Sequence, residues 1–391
     1  MPCYRAGCRA RAVTPCYVER DDTLSRVGIL RSGGTLMRSS SAILLLASAA
    51  LLGAQQPTPT TASAAPTSDT SYIDENGAAH ITRVVPVPEN ISPEAQKVLS
   101  RRVPDTAHPD EPLAQRRARM VENAAHARDA WRKICAVNIA DSEIAGVPVH
   151  LVTPADPSTA ETNKVAINLH GGGFNVDSGS LAESIPIAVY ARIKVVSVLY
   201  RLAPEHPFPA AVDDTVAVYK DLLKKYTPNH IAIFGTSAGA MLTAEVAVKL
   251  KQLGLPLPAA LGIFSGMGDF ARHTDSEAIF AGGGLSGHLD LPKPGPDRPD
   301  YVGSTDPRDP ALSPIYADLS GLPPTLLLAG GRDYLLSGAA NLHRAFMHAG
   351  VDARLVVFDG LPHAFWYDPS LPESIEATHL MADFLRKKLG S

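Results

Sequence analysis

The sequence predicts an α/β fold: a mostly parallel central sheet flanked by helices, with a helical cap. Three observations carry that expectation. From Ala136 onward, short apolar strand-like runs alternate with helix-prone segments, the pattern of a parallel sheet wrapped by helices. One run, 231–234, leads at once into Gly235-Thr236-Ser237-Ala238-Gly239 and then into a helix-prone stretch, 240–252. Another run, 165–169, ends at His170 and three consecutive glycines, Gly171, Gly172 and Gly173.

Taken in chain order, residues 1–36 hold Arg5, Arg9, Arg11, Arg20, Arg26 and Arg31, with Cys3, Cys8 and Cys16. They fit no part of a signal peptide and are expected to be a non-native or mis-called extension, with translation starting at Met37. Met37-Arg38-Ser39-Ser40-Ser41, the apolar run 42–52 and Gly53-Ala54-Gln55 form a basic start, a short apolar core and a small-residue exit. That order predicts a secretory signal peptide over 37–54, and hence a periplasmic or secreted protein. The run is too short to span a bilayer comfortably. Cleavage there leaves Cys135 as the remaining cysteine, so no intrachain disulfide is expected. Residues 55–90 are expected to be a Pro/Thr/Ser/Ala-rich disordered linker followed by an irregular arm. Residues 91–135 are helix-prone segments interrupted by Pro104, Pro109 and Pro112, and are expected to form a cap.

Residues 136–391 make up the α/β domain. Its strands are expected at 147–153, 165–169, 195–200, 231–234, 260–264, 325–329 and 355–358, with a first antiparallel hairpin through Ala145-Gly146. The segment 280–313, dense in Gly and Pro, is expected to be a second cap segment or functional loop. The formal net charge of −4 gives no electrostatic footprint for nucleic acid. No Cys/His cluster has zinc-ligand spacing, and no metal or organic cofactor is expected. Cys135 reads as a buried small hydrophobe.

In G-x-S-x-G between a strand and a helix, the flanking glycines allow a strained turn that lifts the central serine above the sheet. Ser237 would then stand at the positive end of a helix dipole, a setting that suits a nucleophile. About 65 residues upstream, the Gly171–Gly173 run would leave backbone N–H groups open to an oxyanion. Either motif alone is weak, because Gly clusters usually mark ordinary turns. Together they point to acyl chemistry.

Three motifs in order, His170-Gly171-Gly172-Gly173-Phe174, the run Tyr200-Arg201-Leu202-Ala203-Pro204-Glu205-His206-Pro207-Phe208-Pro209-Ala210-Ala211, and the Ser237 elbow, give the chain its likeness. It resembles the hormone-sensitive-lipase-like (HGGG, bacterial family IV) branch of the α/β-hydrolases, from about residue 136 to 389. The resemblance implies an α/β-hydrolase fold, a serine esterase, and Gly172, Gly173 and Ala238 as oxyanion-hole donors. In this fold the nucleophile is followed by an acid and then a histidine. His363, after the strand run and a Gly-Leu-Pro turn, fits the base better than His343, His348 or His379, which fall on helix-prone segments. Asp333, at the exit of the preceding strand, is the expected acid, with Asp269 as competitor. The family's D-P-L-x-D pattern reads Asp333-Tyr334-Leu335-Leu336-Ser337 here, which puts the role of its second acid in doubt.

The expected activity is hydrolysis of small-to-medium carboxylic esters through Ser237, His363 and Asp333. Lactone, carbamate or amide hydrolysis is the alternative, and a non-catalytic ligand receptor the reading from another class. The partner is a small-molecule ester, with no nucleic acid and no stable membrane anchor; a homodimer is compatible with this. Phe174, Thr236, Met241 and Phe365, with Ala364, adjoin the catalytic loops and are the candidate substrate contacts. Arg201, Glu205, Asp213 and Asp214 are read as a structural charge network beneath the site, and His170 as a residue that shapes the glycine loop.

Overall fold

The structure, a computed structural model, describes residues 70–101, 111–286, 289 and 300–390. The expected extension, signal peptide and most of the linker lie outside the described residues. An eight-stranded sheet forms the body of the described chain, in the order β10-β9-β8-β7-β5-β6-β4-β3. These strands are β3 (Val137–Ile144), β4 (Val147–Pro154), β5 (Glu161–Leu169), β6 (Ile193–Val198), β7 (Ile231–Thr236), β8 (Ala260–Phe264), β9 (Thr325–Arg332) and β10 (Ala353–Pro362). Strands β3 and β4 form the expected hairpin, turning through Ala145 (φ 54°) and Gly146 (φ 81°). β4 runs antiparallel to both β3 and β6, and the remaining five neighbouring pairs are parallel. All seven expected strands are present.

Alternation along the central strands sends side chains to two separate cores. Val165, Ile167 and Leu169 of β5, with Ile231 and Ile233 of β7, face one side. There they meet α4 (Ala210–Leu222), α5 (Ala238–Gln252) and α7 (Leu336–His348) through Val212, Leu242, Val246 and Phe346. Ala166, Ala232 and Phe234 face the other side, against Ile185 of α3 (Ser180–Ala191) and Met381 and Leu385 of α8 (Pro372–Lys388). With both faces covered, the strands read as nearly continuous apolar runs, and burying each large side chain stabilises the fold by about 1.5–3 kcal/mol.

The stretch 91–135 divides in two. α1 (Pro93–Leu99) packs beside the core: the backbone N and Oγ of Ser92 donate to the Glu373 carboxylate of α8 at 2.6 and 2.8 Å. α2 (Leu113–Arg132) is a polar helix that buries only Trp131 along its length, and it lies over a cavity at the end of the sheet that holds Ser237. Within the arm, β1 (Tyr72–Ile73) and β2 (Ala79–His80) pair as a short hairpin where irregular chain was expected. Asp74 builds its turn by accepting the Asn76 and Ala78 amides. The expected second cap segment, 280–313, is corrected in part. Tyr301, Val302 and Leu312 are buried in the core, because Tyr301 stacks on Phe174 at 3.5 Å between ring centroids and donates to Glu245. Before it, α6 (Asp275–Ile279) is followed by isolated bridges over 281–286.

Candidate active site

Ser237 sits between β7 and α5 with φ 57° and ψ −121°, the strained conformation expected of an elbow. The glycines on either side are sterically required. A β-carbon on Gly239 would fall on the Leu169 carbonyl, and one on Gly235 would meet Leu169 and the Gly239 backbone. The Ser237 amide donates to the Phe264 carbonyl at 2.9 Å, which ties the elbow to β8.

The candidate acid and the candidate base arrive from the ends of β9 and β10. His363 Nδ1 lies 2.8 Å from Asp333 Oδ1, which also accepts the Leu335 amide at 2.9 Å. Asp333 Oδ2 accepts a very short hydrogen bond from the Ser265 hydroxyl. Burial pushes the Asp333 carboxyl up, but the His363 ring and the Ser265 and Leu335 donors more than offset this and hold it below the usual range. Asp269, the competing acid, is committed elsewhere: it pairs with Arg272 at 2.8 Å and accepts Tyr316 Oη at 3.0 Å. Ser337, in the place of the family's second acid, exchanges hydrogen bonds with Ser276 and ties α6 to α7. The orienting contact on Asp333 falls to Ser265 instead.

The glycine loop is closed by its own carbonyls. Gly171 O accepts the Ser178 amide and Gly172 O the Asn175 amide, both at 3.3 Å. Gly172 adopts φ +115°, and a β-carbon there would collide with the Val176 carbonyl. His170 shapes the loop from below: it is buried, its ring stacks on Tyr200 at 4.1 Å, and its carbonyl accepts Tyr200 Oη at 2.6 Å. Glu183 of α3 holds the loop from behind. Its carboxylate accepts Tyr367 Oη (2.5 Å), Asn168 Nδ2 (2.8 Å) and the Gly171 amide (3.3 Å). Burial raises the Glu183 pKa to about 8 despite these donors.

A cavity of about 670 Å³ opens over these groups. Ser237, Gly172, Gly173, His363 and Tyr334 line it from the sheet side, and Arg116, Met120 and Ala127 of α2 from above. Ala238 follows Ser237 as the first residue of α5. Of the candidate substrate contacts, only Ala364 lines this cavity. Phe174 is turned into the core against Tyr301, Thr236 is buried and accepts Trp366 Nε1 at 3.3 Å, and Met241 is packed in the core. Phe365 packs on Phe358 and Trp366 and lines a neighbouring apolar groove. Adjacency in sequence misleads here because each of these side chains points away from its loop's exposed edge.

The charge network resolves into separate pairs. Arg201 binds Asp214, with its Nη2 2.8 Å from Asp214 Oδ1, whereas Glu205 binds Arg117 of α2 at 2.7 Å. His379 is exposed on α8 and stacks on Tyr190, and Cys135 is buried.

Sequence reasoning missed Tyr334, Ser265 and Glu183. Tyr334 Oη lies 3.5 Å from His363 Nε2 and faces Ser237, and burial with the Asp333 charge raises its pKa to about 12. Its signal was available, since it occupies the residue after Asp333 where the family pattern has proline. Ser265 directly follows the 260–264 strand, so its exit position was readable too. Glu183 lies in the first turn of α3 with no motif around it, and nothing in the sequence marks it as a support of the glycine loop.

A family model for the alpha/beta hydrolase fold matches residues 166–367. An acetyl-hydrolase of Streptomyces hygroscopicus is 35% identical over 263 residues, covering 63% of this chain and 85% of that protein. The crystal structure of an esterase superposes with a TM-score of 0.69 at 32% identity, covering 81% of this chain and 100% of that one. An esterase from the bacterial hormone-sensitive lipase family gives a TM-score of 0.64 at 33% identity, over 76% of this chain and 99% of that one.

Proposed function

The chain belongs to the α/β-hydrolase family, and on that premise we propose that it is a serine carboxylesterase acting on small-to-medium carboxylic esters. One observation carries the reading: elbow-mounted Ser237 shares a cavity with His363, whose Nδ1 is held 2.8 Å from a buried aspartate. Ser237 Oγ attacks the ester carbonyl while His363 Nε2 takes its proton. The N–H groups of Gly172, Gly173 and Ala238 stabilise the oxyanion, an effect worth about 2.7–4 kcal/mol per donor in well-studied cases. Collapse breaks the C–O bond, and the leaving alkoxide takes the proton from His363. Water, deprotonated by His363, then hydrolyses the acyl-enzyme, and the proton returns to Ser237. Asp333 keeps the imidazole in the required tautomer and stabilises the imidazolium. The cavity's 670 Å³ suits a small or medium ester. The esterase and acetyl-hydrolase names of its relatives favour esters over lactones, carbamates or amides.

The test is hydrolysis of p-nitrophenyl esters from acetate to decanoate by the protein and its Ser237→Ala form. Activity should fall by about 10⁴-fold or more in the variant, and a fluorophosphonate should label only the unsubstituted protein. Equal hydrolysis by both forms removes Ser237 from the mechanism. We propose export as well, through cleavage of residues 37–54. Intact-mass analysis should find a mature chain starting near Gln55, and one that retains Cys16 refutes this.

A further inference from the structure

α2 carries two adjacent arginines in different situations. Arg117 is engaged in structure: its Nε donates to the Asn175 carbonyl at 2.7 Å and its Nη2 to the Ala203 carbonyl at 3.1 Å. Both its Nη atoms also bind the Glu205 carboxylate, each at 2.7 Å. These bonds fasten the helix to the glycine loop in one register. Arg116, one residue earlier, lines the cavity alongside Ser237, Gly172 and Gly173. A β-carbon on Gly173 would lie 3.5 Å from Arg116 Nη2 and 3.5 Å from Asn175 Oδ1. Two polar groups thus flank one point beside the glycine loop, Arg116 among the residues that line the cavity and Asn175 just outside that lining.

Neither side chain has a hydrogen-bond or ion-pair partner among the described residues. Arg116, an exposed side chain, forms no ion pair among the described residues. Asp368, the one carboxylate among the described residues that line the cavity, bonds instead to the Ser370 amide at 2.9 Å. Asn175 is 8% exposed, and its Oδ1 has no hydrogen-bond partner among the described residues. A buried polar atom without a partner needs an explanation, and a ligand group is one. The amide's two ends interchange on rotation, so Asn175 can present NH₂ at the same point.

We propose that Arg116 and Asn175 form a subsite for a substrate carboxylate, so that the preferred substrates are esters bearing a negative charge a few bonds from the scissile carbonyl. The proposal rests on the esterase reading above. A guanidinium presents a planar fork matched to a carboxylate.

The full-length protein should be assayed by pH-stat on the monoethyl esters of succinic, glutaric and adipic acids. Ethyl butyrate, pentanoate and hexanoate are the neutral counterparts. At one chain length or more, kcat/KM should favour the charged ester by about ten-fold or more, as a charge-assisted hydrogen bond allows. The preference should shrink in about 0.5 M salt, collapse in Arg116→Gln and survive in part in Arg116→Lys. Neutral esters preferred at every length by the unsubstituted protein overturn the subsite. So does an Arg116→Gln form that lowers both classes equally, since that would place Arg116 on the shared oxyanion. If no ester is cleaved and Ser237 resists a fluorophosphonate, the esterase reading fails and this proposal with it. Neutral-ester turnover without charge preference defeats the subsite alone.

Discussion

Replacing Glu183 by glutamine should flatten the dependence of this protein's stability on pH. Glu183 is 4% exposed and has a folded-state pKa of about 8 against an ordinary 4.5. Between those values the unfolded chain binds fewer protons than the folded one, so stability falls as pH rises. The contribution is intact below about 4.5 and fully lost above about 8. Each pH unit inside the window costs about 1.4 kcal/mol, so the native protein should lose roughly 2–3 kcal/mol from this group between pH 6 and pH 8. Glutamine has no such titration. Its NH₂ can be accommodated if the Asn168 amide turns over, because Ser197 Oγ, now donating to Asn168 Oδ1 at 2.7 Å, can accept instead and send its proton to the Ser180 carbonyl. Urea unfolding followed by fluorescence is the assay, since Trp131 and Trp366 are both buried. Other carboxylates titrate identically in the two proteins, so the difference between their curves isolates Glu183. Parallel curves from pH 6 to pH 8 would refute the reasoning.

Other substitutions separate competing assignments. Asp333→Asn should reduce kcat by about 10⁴-fold, as loss of the orienting acid does in known triads, whereas Asp269→Asn should leave it nearly unchanged; a reversed order would exchange the two acids. Ser265→Ala removes the hydroxyl that binds Asp333 and accepts the Ala364 amide at 3.3 Å, and should lower kcat roughly ten-fold with little change in KM; an unchanged kcat would reduce Ser265 to a packing residue. Gly239→Ala should yield insoluble or grossly destabilised protein, by about 4 kcal/mol or more, whereas Gly282→Ala, with nothing within 4 Å of its added β-carbon, should keep its thermal midpoint. A soluble Gly239→Ala protein of normal stability would mean that the elbow is looser than described.

Much of this protein could be read from the chain because its signals are local. The seven apolar runs became strands because a sheet covered on both faces needs little else from its sequence. Ser237, Asp333 and His363, which the structure places at one cavity, could be nominated because each stands where a strand ends, and strand ends are visible in sequence. Glycines at 172, 235 and 239 were legible from their motifs, and the structure supplies the reason for them: neighbouring backbone leaves no room there for a side chain. Tertiary structure decided what depends on direction and on distant partners. It turned Phe174, Thr236 and Met241 into the core, though each adjoins a loop of the candidate site, because a side chain's orientation follows the packing behind it. It chose Ser265 over Ser337 as the partner of Asp333, across 68 residues of chain. It drew Glu183 beneath the glycine loop, and it fixed Arg116 over the cavity through its neighbour's bonds to Asn175, Ala203 and Glu205. Backbone geometry is encoded residue by residue, whereas pocket chemistry arises only when segments far apart in the chain share one small volume.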